Sequence, residues 1–117
     1  MIDYRVMYLM SGQAHLPYLV CSLYTLRQYW YGEIVVYAWP NSIELVRQIG
    51  QDERLGIRVE ERIPDRMYKR NSQFIDKIHL AMSLKDEAKY VLYLDADTTI
   101  HGRIDSLFSS AMYCGFA

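Results

Sequence analysis

Asp95 and Asp97 stand two residues apart, directly after the apolar run Tyr90-Val91-Leu92-Tyr93-Leu94. Side chains at i and i+2 of an extended segment project to the same side, their Cα atoms roughly 6–7 Å apart. Carboxylates that close repel each other unless a cation or a shared proton lies between them. A hard divalent ion, Mn²⁺ or Mg²⁺, takes oxygen ligands and leaves positions open for phosphate oxygens. Such an ion neutralises a departing diphosphate. Asp95 and Asp97 are therefore candidate metal ligands, with Ala96 between them at the same ligand surface. A lone D-x-D often does no more than cap a turn. Here the strand-like run before it, and that run's place in the chain, favour the metal.

Lys77 falls in a helical pattern, beside the apolar Phe74 and Ile78 rather than opposite them. Its stem can cross apolar surface and bring an ammonium, a compact point charge, to a phosphate. Arg66, Lys69 and Arg70 precede that helix; such a basic cluster is usually a solvated loop, and of the three only Arg70 is kept, as a weak anion-binding candidate. Ser11-Gly12-Gln13 interrupts the first strand-like run, and Ser11 and Gly12 are candidates for contact with the same ligand. His15, His79 and His101 are read as local packing or turn residues, and Cys21 as core packing beside a helical stripe. Cys114 has no His/Asp constellation around it in sequence. C-x-x-C, Walker A and G-x-G-x-x-G patterns are lacking, so dinucleotide binding has little support.

The elements that must position these residues follow from periodicity. Tyr4 to Met10 is β-rich and almost continuously apolar, as a strand covered on both faces should be. Leu16, Leu19, Val20, Leu23, Leu26 and Trp30 recur at helical spacing, with Gly32 placed as a helix-ending glycine. Glu33 to Trp39 is a second strand, ended by Pro40. Asn41 and Glu44 resemble a capping box opening a helix from Ser42 to Ile49, closed by Gly50. Ile57 to Ile63 is a weaker, edge-like strand. Asn71 or Ser72 opens a third helix with the stripe Phe74, Ile75, Ile78, Ala81 and Met82. Tyr90 to Leu94 is the fourth strand and runs straight into the D-x-D.

That alternation predicts an α/β domain, a Rossmann-like parallel sheet with helices on both faces and strand order 3-2-1-4. Its topological switch lies between the first and fourth strands, and ligands bind beyond the carboxyl ends there. The Ser11-Gly12-Gln13 break and the D-x-D both fall at that point.

Composition bounds the rest. The chain of 117 residues is 51% hydrophobic and 23% charged, which suits a single globular domain. Thirteen Lys+Arg against fourteen Asp+Glu leave a formal charge of −1, without the basic face a nucleic-acid partner requires. The apolar stretch from Leu16 to Leu26 is broken by Pro17 and Ser22 and falls short of the ~18–20 residues of a membrane span. Two cysteines make no disulfide framework, so a reducing, cytoplasmic location is expected. Eleven tyrosines suit sugar or base stacking but are equally at home in strands. Tyr18, Tyr24, Tyr29 and Tyr31 are read as an amphipathic surface.

Three segments in order resemble GT-A nucleotide-diphospho-sugar glycosyltransferases. They are Phe74-Ile75-Asp76-Lys77-Ile78-His79-Leu80, then Tyr90 to Thr98 with the D-x-D, then Ile104-Asp105-Ser106-Leu107-Phe108. The pattern is most similar to glycogenin-like and galactosyltransferase-like members of glycosyltransferase family 8. The resemblance implies that Asp95 and Asp97 hold Mn²⁺ or Mg²⁺ and the ribose–diphosphate of a UDP-sugar or other NDP-sugar. It also implies that Lys77, eighteen residues ahead of Asp95, contacts the sugar nucleotide as a catalytic residue. A hexose would pass to an acceptor that the sequence does not identify, with a retaining outcome.

Family members add a third metal ligand, typically a histidine, and the acceptor surface from a later region. Residues 1–117 are accordingly expected to be a truncated N-terminal half of the catalytic domain. Two rival readings use the same residues. Leu94 to Thr99 fits the D-x-D-x-T pattern of haloacid-dehalogenase-like phosphatases, with Asp95 as nucleophile and Asp97 as acid/base. In that family the motif normally ends the first strand of the core, and here it ends the fourth. The chain could also be a non-catalytic fragment that binds nucleotide and metal.

Overall fold

The structure, a computed structural model, describes residues 2–64 and 72–108. Seven elements alternate: β1 (Ile2–Met10), α1 (Leu16–Arg27), β2 (Glu33–Ala38), α2 (Ile43–Gly50), β3 (Arg58–Glu61), α3 (Ser72–Ser83) and β4 (Ala88–Tyr93). The four strands form one parallel sheet in the order β3-β2-β1-β4. The α/β class and the strand order expected from sequence are both present.

Handedness distributes the helices. The connections through α1 and α2 carry the chain the same way, from β1 to β2 to β3, so right-handed crossovers lay both on one face. The connection through α3 runs back past β1 to β4, which puts α3 on the other. On the first face Val6, Tyr8 and Met10 of β1 meet Leu19, Leu23 and Leu26 of α1 and Ile43 and Val46 of α2. On the second, Met7 and Leu9 meet Val35 and Tyr37 of β2 together with Leu80 and Leu84. Both faces are covered, so residues 6–10 and 34–38 are buried without alternation. β3 is the thin edge strand expected, its residues mostly exposed.

Departures from the sequence reading have local physical causes. Gly32 is not a helix cap, because α1 ends earlier, with Gln28 as its C-cap. A Cβ on Gly32 would lie 2.2 Å from the Trp30 ring, so the glycine serves close packing under that indole. The Asn41/Glu44 capping box does not form. Ser42 is the N-cap of α2, and its hydroxyl donates instead to the Met10 carbonyl at 3.0 Å. Cys21 is exposed rather than packed in the core. Cys114 and Arg66, Lys69 and Arg70 lie outside the described residues.

The largest departure is the face that α3 buries. Ile78, Ala81 and Met82 of the expected stripe are exposed. Asp76 and Leu80 are buried in their place, and Asp76 is 0% exposed. Its carboxylate accepts from the Trp39 indole at 2.8 Å and from Arg62 through Nη2 at 2.8 Å and Nε at 3.1 Å. Trp39 directly follows β2 and Arg62 directly follows β3, so Asp76 ties α3 to the carboxyl rim of the sheet. A second polar anchor lies deeper on the same face. Arg5, 2% exposed, forks onto Glu33, its partner in register on β2, at 3.0 and 3.3 Å. It also donates to the Tyr37 hydroxyl at 3.0 Å.

On the opposite face the Tyr8 hydroxyl lies 2.6 Å from that of Ser22, inside the core. Burial pushes the Tyr8 phenol up to about 12, outweighing the Ser22 hydrogen bond that lowers it. The native state thus keeps this proton where the unfolded chain, titrating near 10, releases it. The associated stability is intact below about pH 10 and is lost as pH climbs through 12.

Three outcomes are expected. Asp76→Ala strands the Arg62 guanidinium and the Trp39 N–H, lowering unfolding free energy by about 3 kcal/mol in urea denaturation. Gly32→Ala overpacks Trp30 and costs about 1–3 kcal/mol, whereas Gly102→Ala, where a Cβ meets nothing within 4 Å, stays within about 0.5 kcal/mol. Urea curves between pH 10 and 12 lose on the order of 2–3 kcal/mol through Tyr8, and Tyr8→Phe makes that alkaline limb shallower.

Candidate functional site

A cleft of about 400 Å³ opens beyond the carboxyl ends of β1 and β4, between the loops that follow them. Ser11, Gly12, Gln13 and His15 form one wall; Tyr93, Asp95, Ala96 and Asp97 form the other. Five of the residues expected from sequence to meet a ligand, Ser11, Gly12, Asp95, Ala96 and Asp97, are thus brought together. Arg70 lies outside the described residues.

The first wall is built by hydrogen bonds to the turn after β2. Trp39 donates its amide to the Met10 carbonyl at 2.8 Å. The Asn41 amide side chain donates to the Ser11 carbonyl at 2.9 Å, and Gln13 returns a bond to the Asn41 carbonyl at 3.1 Å. These bonds fix a loop that has no regular structure. A Cβ placed on Gly12 would find no atom within 4 Å, so open space flanks the backbone there.

On the second wall, the Leu94 amide donates to the Met7 carbonyl at 3.0 Å, continuing the β4 pairing one residue beyond the strand. The turn that follows is closed by Thr98, whose amide and hydroxyl donate to the Asp95 carbonyl at 3.1 and 2.7 Å. The main chain, not a carboxylate, therefore caps this turn. Both aspartates are exposed at the cleft.

Tyr93 joins the acidic pair to the lysine. It lines the cleft with Asp95 and Asp97, and the Lys77 Nζ lies 4.8 Å from its ring centroid. Burial first, then the negative charge of Asp95 and Asp97, push the Tyr93 phenol well above its ordinary range. The phenol keeps its proton, while its ring face attracts the ammonium. Lys77 is half-buried, one residue beyond the buried Asp76, so the anchor that seats α3 also sets where the Lys77 stem begins.

Gln13 lines the cleft as part of the Ser11-Gly12-Gln13 break expected at the switch, and His15 and Tyr93 join it without having been assigned to a ligand from sequence. A signal for Tyr93 exists in the strand alternation that pairs it with Asp95. For His15, at the start of α1, the sequence pattern offers none. Among the described residues, no group of three or more His, Cys, Asp or Glu gathers as a complete metal cage. Asp95 and Asp97 supply hard oxygen donors at an open cleft. That donor set fits Mg²⁺ or Mn²⁺, ions that commonly take one or two carboxylates and complete their shell with water and phosphate oxygens. No helix among the described residues is long and apolar enough to cross a membrane.

No protein-family model and no curated protein matches the chain. Solved structures of S. aureus TarS do resemble it. One aligns with a TM-score of 0.58 at 14% identity, covering 97% of this chain and 20% of that one. TarS 1-349 in complex with UDP-GlcNAc aligns with a TM-score of 0.58 at 16% identity, covering 97% of this chain and 31% of that one. TarS 1-349 alone gives the same score and identity, with 32% of that chain covered. The chain therefore spans about a fifth to a third of the length of these structures. At such identity the likeness is one of fold: the four-stranded parallel sheet and its helices share the Rossmann-like α/β arrangement of these structures.

Proposed function

We propose that this chain is the donor-binding part of a metal-dependent glycosyltransferase that moves a hexose from a UDP-sugar, or another NDP-sugar, to an acceptor. The observation that carries the reading is the convergence of Asp95 and Asp97 on a cleft at the switch between β1 and β4. Open α/β sheets bind ligands at that position, and the same fold in TarS 1-349 has been solved with UDP-GlcNAc.

Asp95 and Asp97 would hold Mn²⁺ or Mg²⁺, which when bound offsets negative charge on the diphosphate. Lys77 would place its ammonium on phosphate or sugar oxygens, giving electrostatic stabilisation to the leaving group. Tyr93 would keep Lys77 beside the same ligand through its ring. Ser11 and Gly12 offer main chain and open space on the facing wall. Assignment to glycosyltransferase family 8 draws on the resemblance in order and spacing of Lys77, the D-x-D and residues 104–108, and retention at the sugar carbon would follow only from that assignment. The phosphatase reading draws no support from the topology, since the D-x-D follows β4 rather than β1.

Calorimetric titration of UDP with and without Mn²⁺ tests the reading. Binding is expected only with the ion, and Asp97→Ala weakens it at least tenfold, about 1.4 kcal/mol. UDP affinity that ignores both the ion and the substitution would remove Asp95 and Asp97 from the site. Phosphate-ester hydrolysis without UDP affinity would favour the phosphatase.

A further inference from the structure

A second depression lies at the amino-terminal rim of the sheet, the end opposite the cleft. It forms where α1 has ended and β2 has not begun. Gln28, Tyr29, Trp30, Tyr31, Arg103 and Asp105 surround a cavity of about 450 Å³, within the ~300–1,000 Å³ usual for small-molecule sites.

The turn that presents its aromatic rings is rigidly held. Arg27 donates to four main-chain carbonyls: Leu55 at 2.5 Å, Gly32 at 2.6 Å, Gly56 at 3.1 Å and Trp30 at 3.3 Å. The Trp30 indole stacks on Phe108, with centroids 5.9 Å apart, and closes down on Gly32. Between these two fixed residues Tyr31 stands 85% exposed. A large ring held in water by a braced turn is preorganised, so little ordering entropy is lost when it is covered. Across the depression Arg103 Nε pairs with Asp105 Oδ2 at 3.1 Å, both side chains more than half exposed.

We propose that this depression binds a neutral saccharide, independently of the donor cleft. The flat face of Tyr31 matches the C–H face of a pyranose, which is apolar and poorly hydrated. Guanidinium and carboxylate, already oriented against each other, donate to and accept from neighbouring hydroxyls, and Gln28 can do both. The two charges cancel, so the pair has no net attraction for a phosphate or carboxylate. A polyhydroxylated ring of no net charge is the chemistry that fits.

The test is titration of the ¹⁵N-labelled chain with glucose, N-acetylglucosamine and maltose, followed by amide shifts. Saturable shifts confined to residues 28–31 and 103–105 are expected, with affinity on the order of millimolar. Tyr31→Ala, exposed and therefore harmless to the fold, weakens binding roughly tenfold, and Arg103→Gln weakens it less. Asp97→Ala leaves it unchanged, which separates this site from the proposed donor site. No shifts at millimolar sugar, shifts only at the cleft, binding that survives Tyr31→Ala, or shifts reproduced by inorganic phosphate would each overturn the proposal.

Discussion

β1 is shared by two neighbours, β2 on one side and β4 on the other, and both pair with it in parallel. Parallel pairing obliges each connection to cross over, and chirality makes each crossover right-handed. Because β2 and β4 take opposite sides of β1, α1 and α3 lie on opposite faces, and the topological switch falls between β1 and β4. The cleft opens beyond the carboxyl ends of those two strands. Its position is a consequence of strand order.

Polar anchors decide how α3 is seated on that frame. Arg5 with Glu33 and Tyr37, and Asp76 with Arg62 and Trp39, put charge on the α3 face of the sheet. Buried pairs of this kind add little net stability over apolar packing, but leaving one partner alone is costly. They act through geometry: a helix rotated about its axis would strand Asp76, so only one rotation satisfies it. The same rotation leaves Ile78 and Met82 exposed and sets the base of the Lys77 stem near Tyr93.

At the cleft the charges are arranged around one aromatic ring. Tyr93 lines the cleft with Asp95 and Asp97, and Lys77 meets its ring face. Two exposed carboxylates at the tip of β4 give the cleft a local negative field in a chain whose net charge is only −1. That field suits a divalent cation and, through it, an anionic ligand.

The alternation of near-continuous apolar runs with helical stripes was enough to read the class, the strand order and the place of the D-x-D. Those features follow from local periodicity and the chirality of crossovers, both carried by the chain itself. Periodicity misled at α3, where Phe74, Ile75, Ile78, Ala81 and Met82 form the better apolar stripe. The buried position belongs instead to Asp76, because Trp39 and Arg62, 37 and 14 residues away, satisfy its carboxylate. Gly32 likewise read as a cap and proved to be space for an indole. The part of the cleft wall contributed by His15 came into view only with the fold. Local pattern thus determined which elements exist and where the acidic pair must emerge. Tertiary structure decided which faces are buried and which side chains meet there, since only partners distant in sequence can compensate a buried charge or crowd a missing Cβ.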